Sequence, residues 1–162
     1  AQLMRDFGCI PSPQNAFYLN LGLESLHVRM PRHVENAQTA AEFLDAQDKV
    51  LKVNYPGLPG NRYHGLAEKY LHGGGCGVVS FELSGGRDAA ERFMGKLKLI
   101  AIETHVADAR SCCLHPASST HRQLNDSQLA AAGVAPGLIR VSRGLEDRED
   151  LLADLKHALE AV

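Results

Sequence analysis

Apolar and polar positions alternate over Leu138–Ser142, which places Ile139 and Val141 on one face of a strand and Arg140 on the other. The same period recurs at Lys49–Tyr55, with Leu51, Val53 and Tyr55 on one face and Lys52 and Asn54 opposite, and at Cys76–Leu83, where Val79, Phe81 and Leu83 share a face. Two shorter apolar runs, Leu99–Ile102 and Ser111–His115, read as further strands. Helical spacing takes over elsewhere. Leu19, Leu23, Leu26 and Met30 form one stripe, and Ala37, Ala41 and Leu44 resume it, with a kink or restart expected at Pro31. Tyr63–Leu71, Asp88–Leu97 and Asp126–Ala132 read as short helices. Glu146–Val162 closes the chain as a helix with Leu151, Leu155, Leu159 and Val162 on one stripe and acidic residues at its positive end. Residues 1–16, with Pro11 and Pro13, read as an irregular connector.

Strands interleave with helices, but the links are too varied for strict parallel repeats. The expectation is an α/β domain of α+β character: a mostly antiparallel sheet of about four or five strands with helices packed on one face.

Composition narrows the function. The 162 residues are 44% hydrophobic and 22% charged, with a formal net charge of −2. That balance gives no electrostatic case for nucleic acid or an anionic membrane, and no apolar run reaches membrane-spanning length. The four cysteines, at 9, 76, 112 and 113, read as reduced, buried thiols of a cytosolic protein. Cys112 and Cys113 should point to opposite faces of a strand and so not pair. The chain opens mid-pattern at Ala1, which reads as a fragment or a trimmed domain.

Few residues carry recognisable chemistry. Gly73-Gly74-Gly75 lacks the Lys-Ser/Thr of a phosphate loop and reads as a helix terminator. Cys112, Cys113, His115 and His121 match no standard zinc spacing. No nucleophile elbow or reactive-cysteine signature occurs, and the carboxylates of 146–162 read as solvated. Arg140 is different, because a rigid strand presents it: a guanidinium held this way can give a small carboxylate two parallel hydrogen bonds. An edge-strand arginine in solvent or in an internal ion pair is the other reading, and the strand alone favours it.

A set of matches in order along the chain shifts that balance. Ser12-Pro13-Gln14-Asn15-Ala16, Gly22–His33 (GLESLHVRMPRH), Tyr55-Pro56-Gly57-Leu58, Val79-Ser80-Phe81 with Gly85-Gly86, His115–His121 (HPASSTH), and Leu138–Asp147 (LIRVSRGLED) together resemble the Cys/Met-metabolism enzymes that use pyridoxal phosphate (PLP). The resemblance covers nearly the whole chain and points to the C-terminal domain of that family, the small domain of the aspartate-aminotransferase-like fold. It implies a connector at 1–16 from an absent PLP-binding domain, a long kinked helix at 17–47, and a substrate-binding domain at 48–162.

The resemblance also implies roles. Arg140 grips the substrate α-carboxylate. Thr104 and His105 stand in a loop where the family usually has Ser or Asn beside that carboxylate and a glycine at the position of Ala107. His115, Ser118, Ser119 and Thr120 read as scaffolding near the site. PLP needs a lysine to carry it as a Schiff base. None of Lys49, Lys52, Lys69, Lys96, Lys98 and Lys156 has the family's cofactor-lysine context, so the cofactor is expected on a lysine outside this chain, and the chain alone is expected to be inactive. The wording around AAGV at 131–134 leans toward O-acetylhomoserine sulfhydrylase, a transferase of methionine biosynthesis that replaces acetate by sulfide or a thiol. The complete enzyme is expected to be cytoplasmic and homo-oligomeric, a homotetramer, acting on a small amino acid. Cystathionine γ-synthase, methionine γ-lyase and a non-catalytic interaction module are the alternatives.

Overall fold

The computed structural model describes residues 2–72 and 74–162, and the chain divides into two compact units, Ala1–Met30 and Pro31–Val162. In the first unit, helix α1 spans Gln2–Phe7 and helix α2 spans Pro13–Glu24. Ser12 caps α2 by accepting from the Asn15 N–H at 3.2 Å, and Pro13 suits the first turn because its missing N–H would be unpaired there anyway. The segment 1–16 is therefore partly helical rather than an irregular connector. The helix break also lies elsewhere than expected. It falls at Ser25, whose carbonyl accepts from Val28 and Arg29 and so starts helix α3, Leu26–Asp45. Pro31 stays inside α3. None of the described residues of the first unit is buried, and Phe7, Phe17, Leu19 and Leu23 are all more than half exposed.

The second unit is built on a five-stranded sheet in the order β1-β2-β5-β4-β3. The strands are β1 Val50–Asn54, β2 Val78–Leu83, β3 Ala101–Ile102, β4 Cys112–Leu114 and β5 Leu138–Ser142. Three pairings are antiparallel, but β3 runs parallel to β4. The sheet is mixed, which corrects the expectation of a mostly antiparallel one. The physical reason is the connection: the nine residues between β3 and β4 form a wide loop rather than a hairpin, so the chain re-enters the sheet in the same direction.

One face of the sheet carries the core. Val53, Val79, Phe81, Leu83, Cys113, Ile139 and Val141 join Ala37, Ala41 and Leu44 of α3, residues of helix α5 (Gly86–Met94), and Leu151, Leu155 and Leu159 of helix α7 (Arg148–Leu159). Phe81 and Phe93 meet edge to face, with centroids 5.6 Å apart. Burying each such large side chain is worth about 1.5–3 kcal/mol. Leu51 does not join this face. A register shift between Val50 and Lys52 turns it out, and it is 64% exposed. Helix α4 (His64–Tyr70) and helix α6 (Asp126–Ala131) are short, and α6 starts on an Asn125–Gln128 capping box. No described helix is long and apolar enough to cross a membrane.

Candidate functional site

The sheet's other face holds Arg140. Its strand neighbours Ile139 and Val141 are 0% and 1% exposed in the core, so parity sends the guanidinium to the opposite side. In register it lies between Ser80 of β2 and Leu114 of β4, near the middle of the sheet. The side chain is half-buried, and its Nη2 donates to the carbonyls of Thr104 (2.8 Å) and His105 (3.3 Å). Its Nε is buried without a partner, and Nη1 makes no hydrogen bond among the described residues.

The structure thus brings Arg140, Thr104 and His105 together. Contact runs through the main-chain oxygens of the last two, whose side chains are exposed. The bidentate fork expected for Arg140 is altered accordingly, since one of its two terminal nitrogens already serves the loop. Three more contacts fix that loop. The Cys112 thiol donates to His105 O (2.9 Å), the Ala107 N–H donates to Ser142 Oγ (3.0 Å), and Asp108 accepts from the Arg110 N–H (2.9 Å). That last bond holds the Asp108 carboxyl below its ordinary range. Ala107 has φ +62°, the one non-glycine residue at positive φ among those described.

Both ends of the segment 98–111 are anchored by carboxylates. Asp154, only 6% exposed, accepts from the N–H groups of Lys98, Leu99 and Ile100. Glu146 accepts from the Ser111 N–H and hydroxyl, and Ser111 Oγ in turn accepts from the Gly144 N–H. These two acids correct the reading of 146–162 as a solvated charged stretch. A signal existed for Asp154, which stands beside Leu155 and three residues after Leu151, on the apolar stripe.

Arg143 was also missed. It continues the parity of Ile139 and Val141 into the core and is 1% exposed, with Nε and Nη1 unpartnered. Burial pushes its pKa down to about 10, an effect that the nearby Glu146 opposes. His33 donates through Nδ1 to the Arg143 carbonyl, and Asn36 donates to that of Gly144, so α3 also holds this turn.

His115 is scaffolding. It is 2% exposed, donates through Nε2 to Pro136 O (2.8 Å), and pairs Nδ1 with the Ser118 hydroxyl. Cys112 and Cys113 point to opposite faces and are free, and burial raises the pKa of both thiols; Cys9 is exposed and Cys76 only half-buried, which corrects the expectation of buried thiols throughout. Gly74 and Gly75 follow α4, while Gly73 lies outside the described residues. A groove of about 700 Å³ on the open face is lined by Lys52, Asn54, Asn61, Arg62, Ser80 and Glu82.

All six lysines are exposed, Lys52 in that groove included. A Schiff-base lysine must be held neutral by desolvation or a neighbouring cation. These lysines do not fit a covalent cofactor attachment, whereas Arg140 fits an anion.

Comparison with known proteins agrees in kind. The family model described as Cys/Met metabolism PLP-dependent enzyme matches residues 1–160. O-acetyl-L-homoserine sulfhydrylase 1 of Thermus thermophilus is 47% identical over 96% of this chain and 37% of its own length. L-methionine gamma-lyase of Pseudomonas putida is 43% identical over 95% of this chain and 38% of its own. A Campylobacter jejuni structure described as an O-acetylhomoserine (thiol)-lyase, bearing a pyridoxyl-lysine monophosphate, superposes with TM-score 0.88 at 42% identity, covering 98% of this chain and 38% of that one. The chain therefore spans under two fifths of the length of these relatives. A family match along almost every residue, joined to an α/β fold shared with a PLP-bearing structure, has one consequence: this chain belongs to the Cys/Met metabolism PLP-dependent enzymes, whose cofactor is pyridoxal phosphate.

Proposed function

We propose that the chain is the C-terminal, substrate-binding part of an O-acetylhomoserine sulfhydrylase-type transferase, and that Arg140 binds the α-carboxylate of the amino-acid substrate. One observation carries the reading. A rigid central strand aims a guanidinium to the open face of the sheet, with Nη2 oriented by loop carbonyls and Nη1 making no hydrogen bond among the described residues. A substrate carboxylate that accepts from Nη1 meets a cation already fixed in direction, so little rotamer freedom is lost on binding. The guanidinium fixes the amino acid's orientation and takes no part in bond making.

In this proposal PLP is attached through a lysine outside the chain, and the complete enzyme is a cytoplasmic homo-oligomer. The thiol-transfer assignment rests on the names of relatives such as those of Thermus thermophilus and Leptospira meyeri. A γ-lyase acting on methionine is the second reading, supported by the Pseudomonas putida relative at 43% identity. The test uses the complete enzyme that carries this chain. Arg140→Ala is expected to raise KM for O-acetylhomoserine while PLP absorbance stays unchanged; unaltered kinetics would take Arg140 out of the site. Homocysteine formed from O-acetylhomoserine and sulfide, against methanethiol released from methionine, separates the two reactions.

A further inference from the structure

Arg140 does not stand alone on its face of the sheet. Ser142 follows it by two residues on β5, so parity aims both side chains the same way. Cys112 is the cross-strand partner of Ser142 on β4 and shares that face. These three side chains hold three of the four consecutive residues 104–107. Arg140 takes the carbonyls of Thr104 and His105, Cys112 takes the carbonyl of His105 as well, and Ser142 accepts the N–H of Ala107. Ser142 is 2% exposed.

Ala107 explains why the serine matters. An alanine at φ +62° is strained, because its Cβ crowds the backbone in the left-handed region. Such a conformation persists only where surrounding bonds over-determine it. On the sheet side, the bond that does so is Ala107 N–H to Ser142 Oγ. Without it, the loop can relax to negative φ, and the two carbonyls that aim Arg140 turn with it.

We propose that Ser142 is a positioning residue for substrate binding: by holding Ala107 in its left-handed conformation, it points the Thr104 and His105 carbonyls at Arg140 and so sets the direction of the carboxylate clamp. This inference rests on the reading of Arg140 given above. It assigns Ser142 no contact with substrate.

The experiment uses the complete PLP-loaded enzyme and reads steady-state kinetics with O-acetylhomoserine plus sulfide and, separately, with L-methionine. Ser142→Ala, which removes one oxygen, is expected to raise KM about tenfold, the size of one lost hydrogen bond. At saturation kcat should stay within about twofold of the parent, since the chemistry lies elsewhere. Hydrogen exchange of the peptide containing Ala107 should speed up. In an Arg140→Ala background the serine substitution should add nothing further, because its route of action is already gone. A raised KM in Arg140→Ala with no change in Ser142→Ala overturns this inference alone. So does an equal Ser142→Ala effect in both backgrounds, or an unchanged exchange rate at Ala107. A silent Arg140→Ala overturns the underlying reading instead, and this inference with it.

Discussion

Arg140 and Arg143 lie three residues apart on the same stretch of chain and meet opposite fates. Arg140 reaches the open face, half-buried, with two carbonyls in front of it. Arg143 enters the core, 1% exposed, with two guanidinium nitrogens unpartnered and its pKa pushed down to about 10 by burial. The difference is one of parity: an odd spacing along an extended chain changes the face. The first arginine is placed where a cation can act on something outside the domain. The second is a cost the fold carries. Residue type alone therefore says little about function here, and the face on which the residue falls says much more.

Substitutions that attack the two sites should separate in kind as well as size. The largest effect is expected on the core side, at the acid that shares the Arg143 environment. Asp154→Ala orphans the N–H groups of Lys98, Leu99 and Ile100 and strips a counter-charge from Arg143. A loss of about 3 kcal/mol is expected, read as a fall in unfolding free energy in urea. A loss below the noise of surface mutants would show that the three bonds are replaced by water.

Next comes Arg140→Ala. It should leave the unfolding free energy nearly unchanged and reduce kcat/KM by about 1.5–3 kcal/mol, roughly ten- to a hundredfold, through KM. Arg140→Lys should recover little, because the planar fork is lost.

Arg143→Met should do the reverse, leaving KM alone and stabilising the protein by about 1–3 kcal/mol, since a buried cation with two unpartnered nitrogens gives way to an apolar chain of similar length. The pH dependence follows from the lowered pKa. Below about 10 the guanidinium is charged in both states and the burial penalty is present in full. Above about 10 the unfolded chain, whose arginine keeps its ordinary higher pKa, binds more protons than the folded one, so wild-type stability rises with pH relative to the variant. The gap between the two proteins should hold steady up to about pH 9 and narrow above pH 10. A destabilised Arg143→Met would mean that the interactions with Glu146 and Asp154 outweigh desolvation.

The smallest effect is expected at Ala107→Gly. Relief of the left-handed strain should raise stability by about 1 kcal/mol, less the added freedom of glycine in the unfolded chain. Thermal denaturation checks the sign. A lower Tm would mean that the Ala107 methyl is packed rather than strained.

Much of this arrangement was legible in the chain. The strand Leu138–Ser142 and the inward face of Ile139 and Val141 were fixed by period-two alternation, and the α7 stripe of Leu151, Leu155 and Leu159 by helical period. Local pattern records burial faithfully wherever an element is regular. It misled at Leu51, where a register shift breaks the alternation, and at Pro31, which the helix absorbs while Ser25 makes the break. The same parity that placed Arg140 would have sent Arg143 inward, but a charged residue in the core runs against the usual sorting of residues and was passed over.

The sequence by itself determined which residues face the core, which strand presents Arg140, and the family to which the chain is similar, because side-chain periodicity and short motifs are local properties. Only the tertiary structure decided that β3 runs parallel to β4, that the Thr104 and His105 main chain rather than their side chains meets Arg140, and that Asp154 and Glu146 are anchors and not solvated charges. Those facts depend on groups from 10 to 56 positions apart in the chain arriving within hydrogen-bond distance. Backbone carbonyls and N–H groups are the same in every residue, so their partners leave no trace in the alphabet and are set by where the chain returns.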